Sequence, residues 1–323
     1  MTPWQTAYAQ AITDPQQLLS LLELDAHWLP AARQAAALFS LRVPLSFVAK
    51  MRKGDPTDPL LRQVLPLAEE LLQHPAYLND PLQEHHANPH PGLLHKYRGR
   101  ALLITTGACA IHCRYCFRRH FDYSSQAEPD WSQLAAYFLE QELDEIILSG
   151  GDPLSLSNQR LQRIWQQLHA IPSLRRIRLH TRLPVVLPER IDPGLLELLA
   201  ASPWPVVLVI HSNHPHELGA DVQQALAALR HLPYLTLLNQ TVLLKGVNDN
   251  AATLAALSHA LFKAGVLPYY LHLLDSVQGA QHFAIPDAAA KQLFQQLQQQ
   301  LPGYLVPRLV REIPAAKSKT LVL

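Results

Sequence analysis

From Arg100 onward the 323-residue chain alternates two textures that few architectures can accommodate. Short β-branched or leucine-rich runs occur at residues 101–106, 145–149, 176–180, 206–211, 235–244 and 269–274. Between them, residues 131–143, 158–170, 193–201, 222–232 and 252–264 space their apolar side chains as helices do. One strand every ~30 residues matches a strand–helix unit, in which the helix carries the chain back so that successive strands run parallel. Six such units predict an α/β fold, a parallel (β/α)6 partial barrel rather than an open sheet. The first 91 residues lack a strand pattern. Proline-broken helical spacing at 15–24, 30–41 and 59–73 predicts a helical N-terminal region over 1–91. The barrel then occupies 92–300, and a terminal segment, 301–323, packs on it. The stretch Glu84-His85-His86-Ala87-Asn88-Pro89-His90-Pro91-Gly92 reads as a loop whose histidines are solvated.

Composition narrows the function classes. Hydrophobic residues make up 48% and charged residues 16%, against roughly 25% charged in an ordinary soluble domain, so a disordered chain is excluded. With 27 Lys and Arg against 26 Asp and Glu, the net charge of +1 argues against a partner that is nucleic acid or an anionic membrane. No apolar run approaches the ~20 residues of a membrane span. The start, MTPWQTAYAQAITDP, has neither a basic stretch nor a continuous apolar one, so the expected address is the cytoplasm.

Chemically capable residues gather where the predicted strands end. Cys109, Cys113 and Cys116 are the chain's three cysteines and follow the first strand as C-x3-C-x2-C. After later strands come Ser149-Gly150-Gly151-Asp152, His180-Thr181-Arg182, His211-Ser212-Asn213-His214, Lys245 with Asn248, and Asp275. Parallel barrels build their active sites at this end of the strands. Three thiolates on a compact loop can hold three irons of a [4Fe-4S] cluster and leave the fourth iron open to a small molecule. The alternative is a zinc-stabilised binding protein, with His112 or His120 as fourth ligand.

The cysteine spacing resembles the radical S-adenosylmethionine (SAM) superfamily, and Gly150-Gly151-Asp152 resembles its glycine-rich SAM motif. Further segments are similar to the lysine 2,3-aminomutase family over residues 92–320. They include Leu94-His95-Lys96-Tyr97-Arg98-Gly99-Arg100, Cys113-Arg114-Tyr115-Cys116-Phe117-Arg118-Arg119 and Leu148-Ser149-Gly150-Gly151-Asp152-Pro153-Leu154. His180-Thr181-Arg182-Leu183-Pro184, His211-Ser212-Asn213-His214-Pro215, residues 239–249, and Pro268-Tyr269-Tyr270-Leu271 with Asp275 and Gly279 continue the series.

The resemblance implies an isomerase with the radical SAM type of partial barrel, using a [4Fe-4S] cluster, SAM and pyridoxal 5′-phosphate (PLP). In such enzymes a 5′-deoxyadenosyl radical removes hydrogen from the substrate's β-carbon, and the α-amino group, carried on PLP, migrates there. Carried onto this sequence, Cys109, Cys113 and Cys116 hold the cluster, and Gly150, Gly151, Asp152 and His211 face SAM. Lys96, Tyr97 and Arg100 face PLP. The terminal stretch Pro314-Ala315-Ala316-Lys317-Ser318-Lys319-Thr320 lacks the family's glycines; its Lys-Thr selects Lys319 for the PLP Schiff base, with Lys317 as competitor. Arg118 corresponds to the arginine for the substrate carboxylate; Asp275 and Glu312 correspond to the acids for the distant ammonium of L-lysine. Arg114 and Arg119 are expected as supporting or surface charges. The short tail, without further cysteines, resembles the aminomutase that converts (S)-α-lysine to (R)-β-lysine for elongation factor P, where a lysyl-tRNA-synthetase-like ligase attaches it. The family also implies a homo-oligomer. Glutamate or arginine aminomutases share every cluster feature and remain alternatives.

Overall fold

The computed structural model describes residues 1–124 and 129–322. Its framework is a single nine-stranded sheet in sequential order. The strands are β1 (Leu93–Tyr97), β2 (Arg100–Thr106), β3 (Glu145–Gly150), β4 (Arg176–Thr181), β5 (Val206–His211), β6 (Leu235–Val242), β7 (Leu267–His272), β8 (Arg308–Arg311) and β9 (Thr320–Leu321). β2 through β8 run parallel, while β1 joins β2 and β9 joins β8 antiparallel. The six expected strands are present. β8 and the preceding helix Asp287–Gln300 add a further parallel unit that the sequence patterns did not reveal.

Local chemistry starts the crossover helices. Asp130 caps Trp131–Glu140 through the amides of Ser132 and Gln133, and Ser157 caps Asn158–Leu168 through Arg160. Asp192 and Asn250 cap Pro193–Ala200 and Ala251–Lys263 in the same way. Each side-chain oxygen satisfies an amide that has no partner inside the helix. Along β4 the pattern alternates: Ile177, Leu179 and Thr181 are buried, whereas Arg176, Arg178 and His180 stay partly open on the other face. Across the sheet, His211 on β5 registers with Gln240 on β6, and Gln240 with Tyr270 on β7. That row is the concave face. The sheet curls strongly enough for Lys96 on β1 to reach Glu312, just past β8, at 3.1 Å. Among the described residues no helix is long and apolar enough to cross a membrane.

The N-terminal region does not stand apart. Trp4, Leu18, Phe47 and Leu60 share one apolar cluster with Leu103, Ile146 and Leu179 of the barrel. Helices form at Pro15–Leu21 and Leu29–Leu38, as expected. Residues 59–73 are a correction: they make only 3-10 turns, Leu61–Gln63 and Ala68–Leu71. Pro66 lacks an amide donor and disfavours helix at the residue before it. Asp58, fully buried, takes the amides of Leu60 and Leu61 instead.

The second of those turns presents Glu70 to the cysteine loop. Glu70 accepts Arg114 Nε and Nη2 at 2.8 and 2.6 Å, and Arg119 Nη2 at 2.8 Å. All three residues are buried, so these arginines are internal supports rather than surface charges. Glu70→Ala leaves two buried guanidiniums without their carboxylate and is expected to lower stability by ~3–5 kcal/mol. Neighbouring Glu69→Ala should stay within about 0.5 kcal/mol. Thermal unfolding of the two variants checks the contrast.

Candidate active site

The cysteine loop leaves β2 through Gly107 and is fixed from several sides. Tyr8 donates to the Cys109 carbonyl at 3.1 Å, His112 N–H to the Arg42 carbonyl, and Arg114 N–H to the Gln63 carbonyl. Arg182, at the end of β4, donates Nη1 to Cys113 Sγ at 2.8 Å and Nη2 to Gln63 Oε1 at 2.6 Å. Burial pushes the Cys109 thiol well up and the Cys116 thiol up to about 11, and a charge on Cys113 raises both further. Three thiols on one short loop, two of them held protonated by burial, suit a polynuclear cation, whose charge makes thiolates of its ligands. The residues therefore fit an iron–sulfur cluster. The zinc candidates look elsewhere: His112 Nδ1 lies 2.8 Å from the Ser40 carbonyl, and His120 Nε2 lies 3.2 Å from the Gln278 carbonyl.

Beside this loop, the Gly-Gly-Asp turn ends β3. Gly150 has φ +109°, a conformation that favours glycine. A Cβ on Gly151 would stand 2.5 Å from the Ala108 carbonyl, so only glycine lets the two backbones approach. Asp152 is directed inward: it accepts from Thr181 Oγ1 (2.7 Å) and from the amides of Arg182 (2.6 Å), Leu154 (3.0 Å) and Leu183 (3.2 Å). Burial raises its carboxyl to about 6, although these four donors favour the charged form. Its visible work is to tie β3 to β4.

On the concave face stand three histidines. Burial drives His180 and His272 well below the ordinary imidazole range and His211 down to about 3, so all three are neutral. Gln240 donates to His211 Nε2 at 2.5 Å, whereas His180 Nε2 and His272 Nε2 are buried without a partner. Unpaired buried nitrogens are rare in finished interiors and suit a cavity built for a polar ligand. SAM and PLP are both rich in complementary groups.

Across the mouth runs a chain of alternating charge. Arg118 donates Nε to Glu84 Oε2 at 2.7 Å and Nη2 to Oε1 at 2.9 Å. Lys96 bridges Glu84 (2.9 Å) and Glu312 (3.1 Å), and Lys319 Nζ closes the chain on Glu312 at 2.6 Å. Burial opposes the charge on both acids, yet Arg118 and Lys96 hold Glu84 below the usual range, and Lys319 and Lys96 do so for Glu312. Burial and the nearby Glu312 charge push the Tyr97 hydroxyl up, and Arg100 stacks over the Tyr97 ring at 4.7 Å. The β8–β9 hairpin explains the position of Lys319: Arg311 pairs with Thr320, which brings residues 312 and 319 face to face. Lys319 Nζ lies 5.8 Å above the Tyr270 ring, while Lys317 is exposed.

Asp275, following β7, faces the same space without an ion-pair partner among the described residues. Burial, followed by the nearby Glu312 charge, raises its carboxyl to about 7. The expected site residues thus converge on one mouth, with Arg118 already carrying a carboxylate. Sequence reasoning missed that carboxylate, Glu84, by placing it in a solvated loop. Its signal was faint: one acid ahead of the basic stretch 95–100.

The Asp275 shift has a pH consequence. A carboxyl raised above its unfolded value adds stability below about pH 4 and loses it as pH rises through about 7. Asp275→Asn is therefore expected to stabilise the cofactor-free protein at pH 8, with the difference shrinking toward pH 4. Denaturant midpoints across that range measure it.

No family model matches the chain. Curated relatives do. L-lysine 2,3-aminomutase of Escherichia coli is 51% identical over 98% of this chain and 93% of its own length. The Haemophilus influenzae enzyme of the same name is 47% identical over 98% and 95%, and that of Clostridium subterminale 35% identical over 90% and 70%. Among solved structures, a radical SAM methyltransferase from Sphaerobacter thermophilus overlays with a TM-score of 0.46 at 18% identity, covering 68% of each chain. At half identity over nearly all of its length, this chain belongs to the L-lysine 2,3-aminomutase family, isomerases that work with a [4Fe-4S] cluster, SAM and PLP.

Proposed function

We propose that this chain moves the α-amino group of L-lysine to the β-carbon, giving β-lysine. The observation that carries this reading is the unbroken chain Arg118–Glu84–Lys96–Glu312–Lys319, which links the guanidinium two residues past Cys116 to the amine of Lys319. When bound, the cluster with SAM supplies a carbon radical that removes hydrogen, and PLP supplies the conjugated group that carries the nitrogen. The chain's own residues do the rest. Cys109, Cys113 and Cys116 ligate the cluster, and the open backbone at Gly150 and Gly151, with His211, lines the SAM side. Lys319 provides the amine for covalent attachment of PLP; Lys96, Tyr97 and Arg100 surround it. Arg118 takes the substrate carboxylate through a guanidinium fork. Asp275 takes the distant ammonium, being the acid without an ion-pair partner among the described residues, with Glu312, which carries Lys96 and Lys319, as the second acid at that end.

The chain is 51% and 47% identical to the Escherichia coli and Haemophilus influenzae relatives and 35% identical to the Clostridium subterminale one. In the same reading the product is (R)-β-lysine, supplied in the cytoplasm to elongation factor P through its lysyl-tRNA-synthetase-like ligase. Association into a homo-oligomer belongs to the same reading.

Anaerobic incubation of the reconstituted protein with SAM, PLP, reductant and a panel of lysine, glutamate and arginine is expected to convert lysine alone, with chiral chromatography identifying (R)-β-lysine. Conversion of glutamate or arginine instead overturns the substrate assignment. Zinc in place of iron and sulfide overturns the reaction class. Lys319→Ala is expected to abolish the visible absorbance of protein-bound PLP, and Lys317→Ala to leave it intact; the reverse result moves the attachment to Lys317.

A further inference from the structure

Arg118 has two edges that can grip a carboxylate, one formed by Nε with Nη2 and the other by Nη1 with Nη2. Glu84 occupies the first edge with both oxygens. On the second edge, among the described residues, Nη1 has only long contacts, 3.4 Å each, to Ser149 Oγ and the Gly150 carbonyl. Glu84 is 3% exposed, and its backbone is fixed in turn: its amide donates to Asp80 Oδ1 at 3.0 Å. Lys96 adds a third hydrogen bond to Glu84 from β1. This carboxylate is therefore braced from two elements and holds Arg118 by the edge that a substrate does not need.

We propose that Glu84 is a positioning residue: it aims the free Nη1–Nη2 edge of Arg118 at the substrate carboxylate and ties that anchor through Lys96 to Glu312 and Lys319. The inference rests on the reading of Arg118 given above. Placement rather than charge alone is the point. Removing Glu84 would strengthen the positive field at Arg118 yet free the guanidinium to swing, and a fork misplaced by about 1 Å loses on the order of a hundredfold in a well-oriented reaction.

The test separates geometry from charge. Glu84→Asp keeps the charge and withdraws it by one methylene; Glu84→Gln keeps the length and removes the charge. Lysine and lysinamide are titrated into cluster- and PLP-loaded protein without reductant, following the absorbance of bound PLP. The natural protein is expected to prefer lysine over lysinamide at least tenfold; loss of that preference there refutes the Arg118 reading itself. With the preference established, Glu84→Asp is expected to weaken lysine binding about tenfold and lysinamide binding less than twofold, at an unchanged PLP spectrum and melting temperature. Full retention of the preference in Glu84→Asp overturns the proposal. If Glu84→Asp melts early, Glu84→Gln decides: equal weakening of both ligands marks a merely structural role, and a loss confined to lysine supports positioning.

Discussion

A single carboxylate, Glu312, joins the two ends of a sheet that no strand pairing closes among the described residues. The strand order runs from β1 to β9, and its ends meet through Lys96 and Lys319, one on each Glu312 oxygen. Two ammonium groups on one largely buried carboxylate would repel without it, and the carboxylate would not stay charged in that setting without them. The pairings therefore stand or fall together. They hold the C-terminal hairpin, β8 to β9, with Lys319 over the Tyr270 ring. Substitution of a neutral residue at 312 removes more than a hydrogen bond: it leaves three cations facing one mouth with Glu84 as their nearest fixed counter-charge.

The cysteine loop depends on a different construction. Three sulfur ligands on a short loop carry little packing of their own, so their positions come from what grips the backbone between them. Much of that grip consists of carbonyl groups of the N-terminal region: Phe39 and Ser40 accept from Arg114 and His112, and Gln63 accepts from the Arg114 amide. Side chains complete it, with Gln63, Tyr115, Asn213, Glu217 and Arg182 meeting in one buried network around Cys113. Such networks gain strength from low local polarity only when every member is satisfied. Here the network couples the ends of β4 and β5 to the loop after β2, which holds that loop in place at Cys113.

This division explains what the sequence could disclose. Strands β2 to β7 and five crossover helices were legible because β-branched and leucine-rich runs recur at regular intervals between segments of helical spacing. β8, Arg-Leu-Val-Arg, is too short and too charged to carry that pattern, and its glutamine-rich helix, Asp287–Gln300, offers few apolar positions. The cysteines, Gly150-Gly151-Asp152 and Lys319 stood out in the sequence because their residue types and spacing form a motif. The N-terminal grip was not, since a carbonyl acceptor has no residue signature. Glu84 was hidden for another reason: its neighbours in sequence, His85 and His86, are exposed, so local context predicts solvent where tertiary structure supplies Arg118 and Lys96.

The terminal segment shows how a position can persist while its local sequence changes. The family resemblance leads one to expect glycines ahead of the lysine, and this chain has Pro314-Ala315-Ala316. Ala315 nonetheless adopts φ +61°, the left-handed conformation that glycine takes freely and alanine takes at a cost of roughly 1–2 kcal/mol. The turn tolerates this because its stem is held independently. Val310 and Arg311 pair with Leu321 and Thr320, the Val322 amide donates to the Leu309 carbonyl, and Val322 is buried among Leu271, Leu305 and Leu309. Position 319 is thus set by register with β8 and not by the loop's own preferences. Position 317, at the tip, has no such tether and is exposed. A hairpin whose stem ends next to Lys319 can vary its tip without moving that amine, and that freedom is what lets alanine stand where the strain would otherwise demand glycine.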